Sequence, residues 1–482
     1  MHGRSARTGK IENNGLHREG TSLYGQRDIG GNSMDEKQLE QENKRELRRK
    51  RRIRNQTIAY AVLIVLVILL AVGSVAAVKL YTERGPKETA QEQQSSESVT
   101  EEKPADQQES SQEPLPTEES SEESQEVIEE RTDLNEKLEE LVAAQIQGMT
   151  LEDKVAGLFI VTPESITGVS TAVKAGDGTK TALEKYAVGG LIYFSKNIKN
   201  QNQFQEMVEK TKSYAKYPLF LAVDEEGGSV SRLGGAGLGT KVEDAMTVGQ
   251  SGDFDYALQT GVSLGTNLVN MGLNLDFAPV ADIVTEQDSV IGNRSYGSEP
   301  QKVGELVSAV AQGIQSVGVG SCVKHFPGMG STKQDPHKGI STTDRTEEQF
   351  RAEEFVAFRT AVDSGVTMIM ISNMAAPGLT GNNEPCVFSQ KVVTDILRNE
   401  MGYDGIIITD AMNMAAVSQY YAADEAAIMA LKAGCDMILM PEDYEKACKG
   451  VLEQIQNGTL SEERINDALS RIYRVKLANM VQ

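Results

Sequence analysis

The 482-residue sequence has no tryptophan, four cysteines and four histidines, and its aromatic residues make up 5% of the chain. A cleft that holds its ligand by repeated stacking on aromatic faces is hard to build from such a composition. The cysteines, Cys322, Cys386, Cys435 and Cys448, show no close Cys/His spacing of the kind that holds zinc. Their spacing neither requires nor excludes a disulfide outside the cell. Positive charge is also scarce, with 48 Lys and Arg against 70 Asp and Glu and a net charge of −22. That balance argues against nucleic-acid binding by the bulk of the protein, because phosphate contacts need clustered cations.

The cations that do exist are unevenly placed. Residues 1–54 are polar and end in Lys44-Arg45-Glu46-Leu47-Arg48-Arg49-Lys50-Arg51-Arg52-Ile53-Arg54. Alone, this run could address a nucleus or a nucleic acid. Residues 58–78 follow at once, without a charge and mostly Ile, Val, Leu and Ala. At ~1.5 Å per residue this segment crosses the ~30 Å hydrocarbon core. A single transmembrane signal-anchor helix over 57–80 is therefore expected, with the basic tail cytoplasmic and the rest extracytoplasmic. Ser74-Val75-Ala76-Ala77 would suit a signal peptidase, but the apolar run exceeds the usual ~7–15 residues, which favours a retained anchor in the bilayer. Residues 82–131 are Glu, Ser, Gln and Pro, too poor in apolar side chains to offset their ordering entropy, and read as a disordered acidic stalk.

From residue 134 to 482 the pattern changes. Short apolar runs recur at 156–161, 189–194, 218–223, 275–280, 317–323, 366–371, 405–408 and 436–440, with amphipathic stretches between most of them. Each run is too short for a helix, so each reads as a strand buried on both faces. Eight strand–helix units predict an α/β fold, a (β/α)₈ TIM-type barrel, with an open doubly wound sheet as the alternative. No Gly-x-Gly-x-x-Gly turn follows the first strand, which weakens a dinucleotide-binding reading.

The ends of these runs carry polar residues: Asp224, Asp282, Lys324-His325, Ser372-Asn373 and Asp410. In a barrel such residues converge on the mouth formed by the C-terminal strand ends. Two of the four histidines, His325 and His337, fall in one Gly/Pro-rich stretch there. A surface loop with two solvated histidines is the plainer reading of that stretch, and a metal-binding Asp/His pair is another. Asp410, in Ile408-Thr409-Asp410-Ala411, suits the carboxylate that traps an oxocarbenium-like centre, or more simply a helix N-cap. Asp335-Pro336-His337 suits the proton donor: residues two apart in extended chain share a side, so Asp335 could bond one imidazole nitrogen and support the charged ring.

Several motifs occur in a fixed order: Ala222-Val223-Asp224-Glu225-Glu226-Gly227-Gly228, Asp276-Phe277-Ala278-Pro279-Val280-Ala281-Asp282, Arg294-Ser295-Tyr296-Gly297, Lys324-His325-Phe326-Pro327-Gly328, Asp335-Pro336-His337 and Thr409-Asp410-Ala411-Met412. Together they resemble family 3 glycoside hydrolases, and more narrowly the β-N-acetylhexosaminidase branch. The resemblance implies a (β/α)₈ catalytic barrel over 134–482 and a retaining mechanism without metal or organic cofactor. It casts Asp410 as nucleophile, His337 with Asp335 as acid/base dyad, and Asp224, Arg232, Arg294, Lys324 and His325 as grips on the terminal sugar. Where the family commonly reads Pro-Gly-His-Gly-Asp, this chain has Pro327-Gly328-Met329-Gly330-Ser331. Many larger relatives carry a second α/β domain, and none is expected here after the final helix, 461–478.

With the absence of tryptophan, the implied site is a small pocket that removes one terminal residue. The expected protein is thus an anchored exo-β-N-acetylglucosaminidase acting on cell-wall (peptidoglycan) fragments. The alternatives are a β-glucosidase, a glycoside phosphorylase, or a glycan-binding protein without turnover.

Overall fold

The computed structural model describes residues 119–286, 288–335 and 337–478, with side chains from residue 133 onward. The basic tail, the apolar segment 57–80 and most of the acidic stretch lie outside the described residues. Among the described residues no helix is long and apolar enough to cross a membrane.

The strands in chain order are β1 (Phe159–Val161), β2 (Gly190–Ile192), β3 (Phe220–Val223), β4 (Glu225–Gly227), β5 (Val230–Ser231), β6 (Leu275–Asp276), β7 (Gly320–Phe326), β8 (Met368–Ile371), β9 (Ile406–Thr409) and β10 (Ile438–Leu439). Eight form one parallel sheet in the order β10-β1-β2-β3-β6-β7-β8-β9. The sheet's two ends meet: Ile408 bridges Met437 in parallel, and the amide of Thr409 donates to the Met437 carbonyl at 3.1 Å. That contact closes the barrel. β4 and β5 form a separate antiparallel ribbon.

The main helices are α1 (Glu119–Gln147), α2 (Asp177–Lys185), α3 (Gln201–Tyr214), α4 (Phe254–Asn270), α5 (Pro300–Ser316), α6 (Glu354–Ser364), α7 (Lys391–Glu400), α8 (Ala423–Ala433), α9 (Tyr444–Gln456) and α10 (Glu462–Leu477). Helices α2 to α8 each cross between successive barrel strands. Local chemistry starts several of them: Asn200, Asp253 and Ser461 each accept an amide hydrogen of the first turn through the side chain. In α5, Val303, Leu306, Val307, Val310, Ala311 and Ile314 are buried, the three-and-four spacing of one helix face. Gly261 and Gly313 let α4 and α5 touch backbone to backbone; a Cβ on Gly261 would stand 2.1 Å from the Val310 carbonyl. Helix α1 begins at Glu119, inside the stretch that composition reads as linker. Glu and Gln are good helix formers, and the far end of α1 packs down through Val142 and Ile146 while Glu139 pairs with Arg474 of α10.

The seam between β9 and β10 is held by one carboxylate. Asp436, fully buried, lies 2.6 Å from Arg398 of α7 and 3.0 Å and 3.6 Å from Arg471 and Arg464 of α10. It also accepts the Ile407 amide at 3.0 Å. Removing it would leave three half-buried guanidinium groups without their shared counter-charge, so Asp436→Ala should cost ~3–5 kcal/mol, read as a lower urea midpoint with conserved slope.

A second buried carboxyl, Glu354 at the start of α6, lies under Gly328 and 3.1 Å from Arg345. Burial pushes it up to about 8 against the pull of Arg345. The unfolded chain therefore releases this proton more readily than the folded one, and stability from this group falls as pH rises from 4.5 to about 8. Denaturation across that window should show a gentler decline for Glu354→Gln than for the wild type; parallel curves would refute the assignment.

Candidate active site at the mouth of the barrel

The C-terminal strand ends supply most of the polar residues read from the sequence. Lys324 lies within β7, 2% exposed, where an isolated ammonium would be costly. Its Nζ is 2.8 Å from Asp224 Oδ1, directly after β3, and 2.6 Å from Glu226 Oε1. Glu226 in turn takes both arms of Arg294, at 2.7 and 2.8 Å. Burial alone would raise the Glu226 carboxyl, but the charges of Lys324 and Arg294 outweigh it and hold it at about 2. Lys324 follows the same logic: burial lowers its pKa, while Asp224 and Glu226 raise it above the ordinary lysine value. Burial raises the Asp276 carboxyl above its ordinary value, and its Oδ1 accepts the Glu225 amide at 2.9 Å.

Arg232 reaches this network from the ribbon. The Glu225 carboxylate folds the ribbon's exit by accepting from Ser231 Oγ at 2.6 Å and from the amides of Leu233 and Gly234 at 2.7 and 2.9 Å. The Arg232 guanidinium then stands over the Phe194 ring, 5.7 Å from its centroid, with Nη2 3.5 Å from Asp224 Oδ2. Phe194, Arg232, Thr162, Lys196, Asn413 and Glu442 line a cavity of about 560 Å³ at the ends of β1, β2 and β10.

Asp410 follows β9 and is half-buried. Its amide donates to the Ile371 carbonyl at 2.9 Å, and its Oδ1 accepts the Ala411 amide at 2.7 Å. Asn373, 1% exposed at the end of β8, holds the next peptide by donating from Nδ2 to the Ala411 carbonyl at 2.9 Å. The nucleophile candidate is thus fixed by two neighbouring strands, and one backbone donor leaves most carboxylate lone pairs available to an electrophile.

The two histidines have different settings. His325 is buried, with Nδ1 2.6 Å from Asp282 Oδ2; Asp282 also accepts the Met329 amide at 2.7 Å. His337 is exposed, and Asp335 accepts its backbone amide at 2.9 Å while lying 3.8 Å from the Lys338 ammonium. The carboxylate–imidazole bond expected of the Asp335–His337 pair is therefore not the one seen. An Asp two residues before an amide caps it readily, and this local turn takes the carboxylate. Pro336 lies outside the described residues. Among the described residues no group of three or more His, Cys, Asp or Glu side chains could hold a metal ion.

The structure thus brings Asp224, Arg232, Arg294 and Lys324 into one network, with His325 in β7 and Asp410 after β9, two strands along the same sheet. Sequence reasoning missed Glu226 as the hub of the charge network. Its signal was present: two residues after Asp224 in extended chain, it faces the same way.

Residues 134–475 match the model of the glycosyl hydrolase family 3 N-terminal domain. A β-hexosaminidase of Nitrosomonas eutropha is 36% identical over 274 residues, covering 56% of this chain and 78% of the relative. One from Idiomarina loihiensis is 32% identical, covering 62% and 91%. Among solved structures, a family 3 β-N-acetylglucosaminidase from Paenibacillus sp. str. FPU-7 superposes with a TM-score of 0.65 at 32% identity, over 69% of this chain and 63% of that one. With the parallel barrel and the polar mouth on the same residues, the chain belongs to glycosyl hydrolase family 3.

Proposed function

We propose that this glycosidase is a retaining exo-β-N-acetylglucosaminidase, held at the outer face of the cell membrane by its apolar segment, that removes terminal N-acetylglucosamine from peptidoglycan fragments. The observation that carries the reading is the placement of Asp410 on the same sheet end as the Asp224–Lys324–Arg232 cluster. Hydroxyls of a terminal sugar suit that cluster, since Asp224 can accept and Arg232 and Lys324 can donate. The β-hexosaminidase relatives support the N-acetyl sugar. The membrane position rests on the sequence pattern of residues 44–80.

The chemistry runs in two steps. Asp410 attacks the anomeric carbon as the bond to the leaving oxygen breaks, and His337 gives that oxygen its proton. Water then attacks the same carbon, His337 takes the water's proton, and the Asp410 ester is released. His325 offers a second reading, because it already makes the carboxylate–imidazole bond, with Asp282. Its burial suits a grip better than proton exchange with water.

Leaving groups separate these readings. Asp410→Ala should abolish turnover of every substrate. His337→Ala should cut release of a sugar leaving group by ~10²–10⁴-fold, yet leave a rapid burst with a nitrophenyl glycoside, which departs without a proton. His325→Ala should weaken both substrates alike; a leaving-group dependence at His325 instead of His337 would move the acid/base to the buried pair.

Sugar and acceptor are tested with aryl glycosides in phosphate buffer. The proposal expects fast release from the β-N-acetylglucosaminide, slow release from the β-glucoside, and free N-acetylglucosamine as product. Brisk cleavage of the glucoside alone overturns the sugar, a sugar 1-phosphate overturns hydrolysis, and tight binding without turnover of any glycoside makes it a binding protein.

A further inference from the structure

The segment that carries His337 leaves the barrel mouth on one stem and returns on another. The first stem, 329–332, is fixed to the loops after β6. Gly330 lies against the Ile283 carbonyl, so close that a Cβ would stand 1.8 Å from its oxygen, and the Val290 amide donates to the Thr332 carbonyl at 3.1 Å. Thr332 turns back on itself through Oγ1 to the Met329 carbonyl at 2.8 Å. The second stem, 341–345, is fixed to the loop after β8. The Ala375 amide donates to Ser341 and the Thr343 amide to Ala375, at 2.8 and 3.1 Å, and Arg345 pairs with Glu353 at 2.6 Å. Each stem is therefore anchored to a different part of the barrel.

One side-chain contact joins stem to stem: Ser331 Oγ lies 2.8 Å from Thr343 Oγ1. Thr343 is 4% exposed, and Ser331 is half-buried. A hydroxyl pair that is largely shielded from water keeps a defined separation, and here it closes the base of a loop whose tip, at Lys333, Gln334, His337 and Lys338, is exposed.

We infer that Ser331 and Thr343 are positioning residues for the acid/base: their hydrogen bond sets the separation of the two stems and so the placement of His337 over the leaving oxygen. The inference rests on His337 being the proton donor. Neither hydroxyl touches the reacting atoms. Loss of the bond widens the range of positions open to the imidazole, and proton transfer suffers because it needs hydrogen-bond reach to the leaving oxygen. Attack by Asp410, fixed on β9 and β8, does not depend on it.

The test compares Ser331→Ala, Thr343→Val, Thr343→Ser and the Ser331→Ala/Thr343→Val double variant in the full-length chain. Substrates are a β-linked N-acetylglucosamine disaccharide and the nitrophenyl glycoside. Each deletion should lower kcat on the disaccharide on the order of 10- to 100-fold with KM little changed, and leave the nitrophenyl burst rate and amplitude intact. Thr343→Ser should restore wild-type behaviour, and the double variant should be no worse than either single one. A burst rate with the nitrophenyl glycoside that falls as far as disaccharide turnover, a reduced burst amplitude, or additive losses in the double variant would overturn the inference. Ser331→Ala covers the case in which Thr343→Val misfolds, since Thr343 also accepts the Arg345 amide at 3.4 Å. His337→Ala run beside them keeps the two ideas apart. If it shows the leaving-group dependence and the clamp variants do not, the inference alone fails; if it shows none, the acid/base reading fails first.

Discussion

The mouth of this barrel is organised around one buried ammonium. Lys324, 2% exposed, survives there because Asp224, after β3, and Glu226, in β4, approach it within 2.8 Å, and Arg294 balances Glu226 from another segment. Each group is tolerable in the interior only in the presence of the others, since removing one partner of a buried pair leaves an uncompensated charge. The network therefore locks β3, β7 and the loop after β6 into one relative placement. Rigid placement of hydrogen-bonding groups lets a site recognise a sugar hydroxyl without first reorganising.

The same barrel supplies two kinds of precision. Strand ends hold Asp410, Asp224 and Lys324 on hydrogen-bonded backbone, while His337 sits exposed on a loop whose two stems are anchored to the barrel. The proposed nucleophile must meet carbon at bonding distance, which suits a strand. The proposed proton donor must reach the leaving oxygen and later water, which suits a side chain near solvent. Met329 packs its sulfur 3.8 Å from the Ser372 hydroxyl while its amide supports Asp282. It completes the interior beside the site.

The eight barrel strands were legible because parallel strands buried on both faces read as short apolar runs, and each run contains or overlaps its strand. Edges were less so: β7 extends through Lys324 and His325, because a strand that aims polar groups into a mouth stops looking apolar before it stops being a strand. The ribbon of β4 and β5 escaped notice, since Glu225-Glu226-Gly227 carries none of the branched or aromatic residues that mark strands. The contact of Lys324 with Asp224 spans 100 residues and leaves no local pattern. The Asp335 carboxylate, read as a partner for an imidazole, serves a backbone amide two residues on, a competition that sequence spacing cannot arbitrate.

The central claim is that a carboxylate at the end of β9 becomes covalently bonded to sugar. It is tested most directly by mass spectrometry of rapidly quenched enzyme. The His337→Ala variant is mixed with a nitrophenyl β-N-acetylglucosaminide, stopped in acid during the slow phase and digested. The account predicts a peptide carrying one N-acetylhexosamine residue as an ester on Asp410. Unmodified enzyme throughout turnover, or an adduct on another side chain, would contradict it.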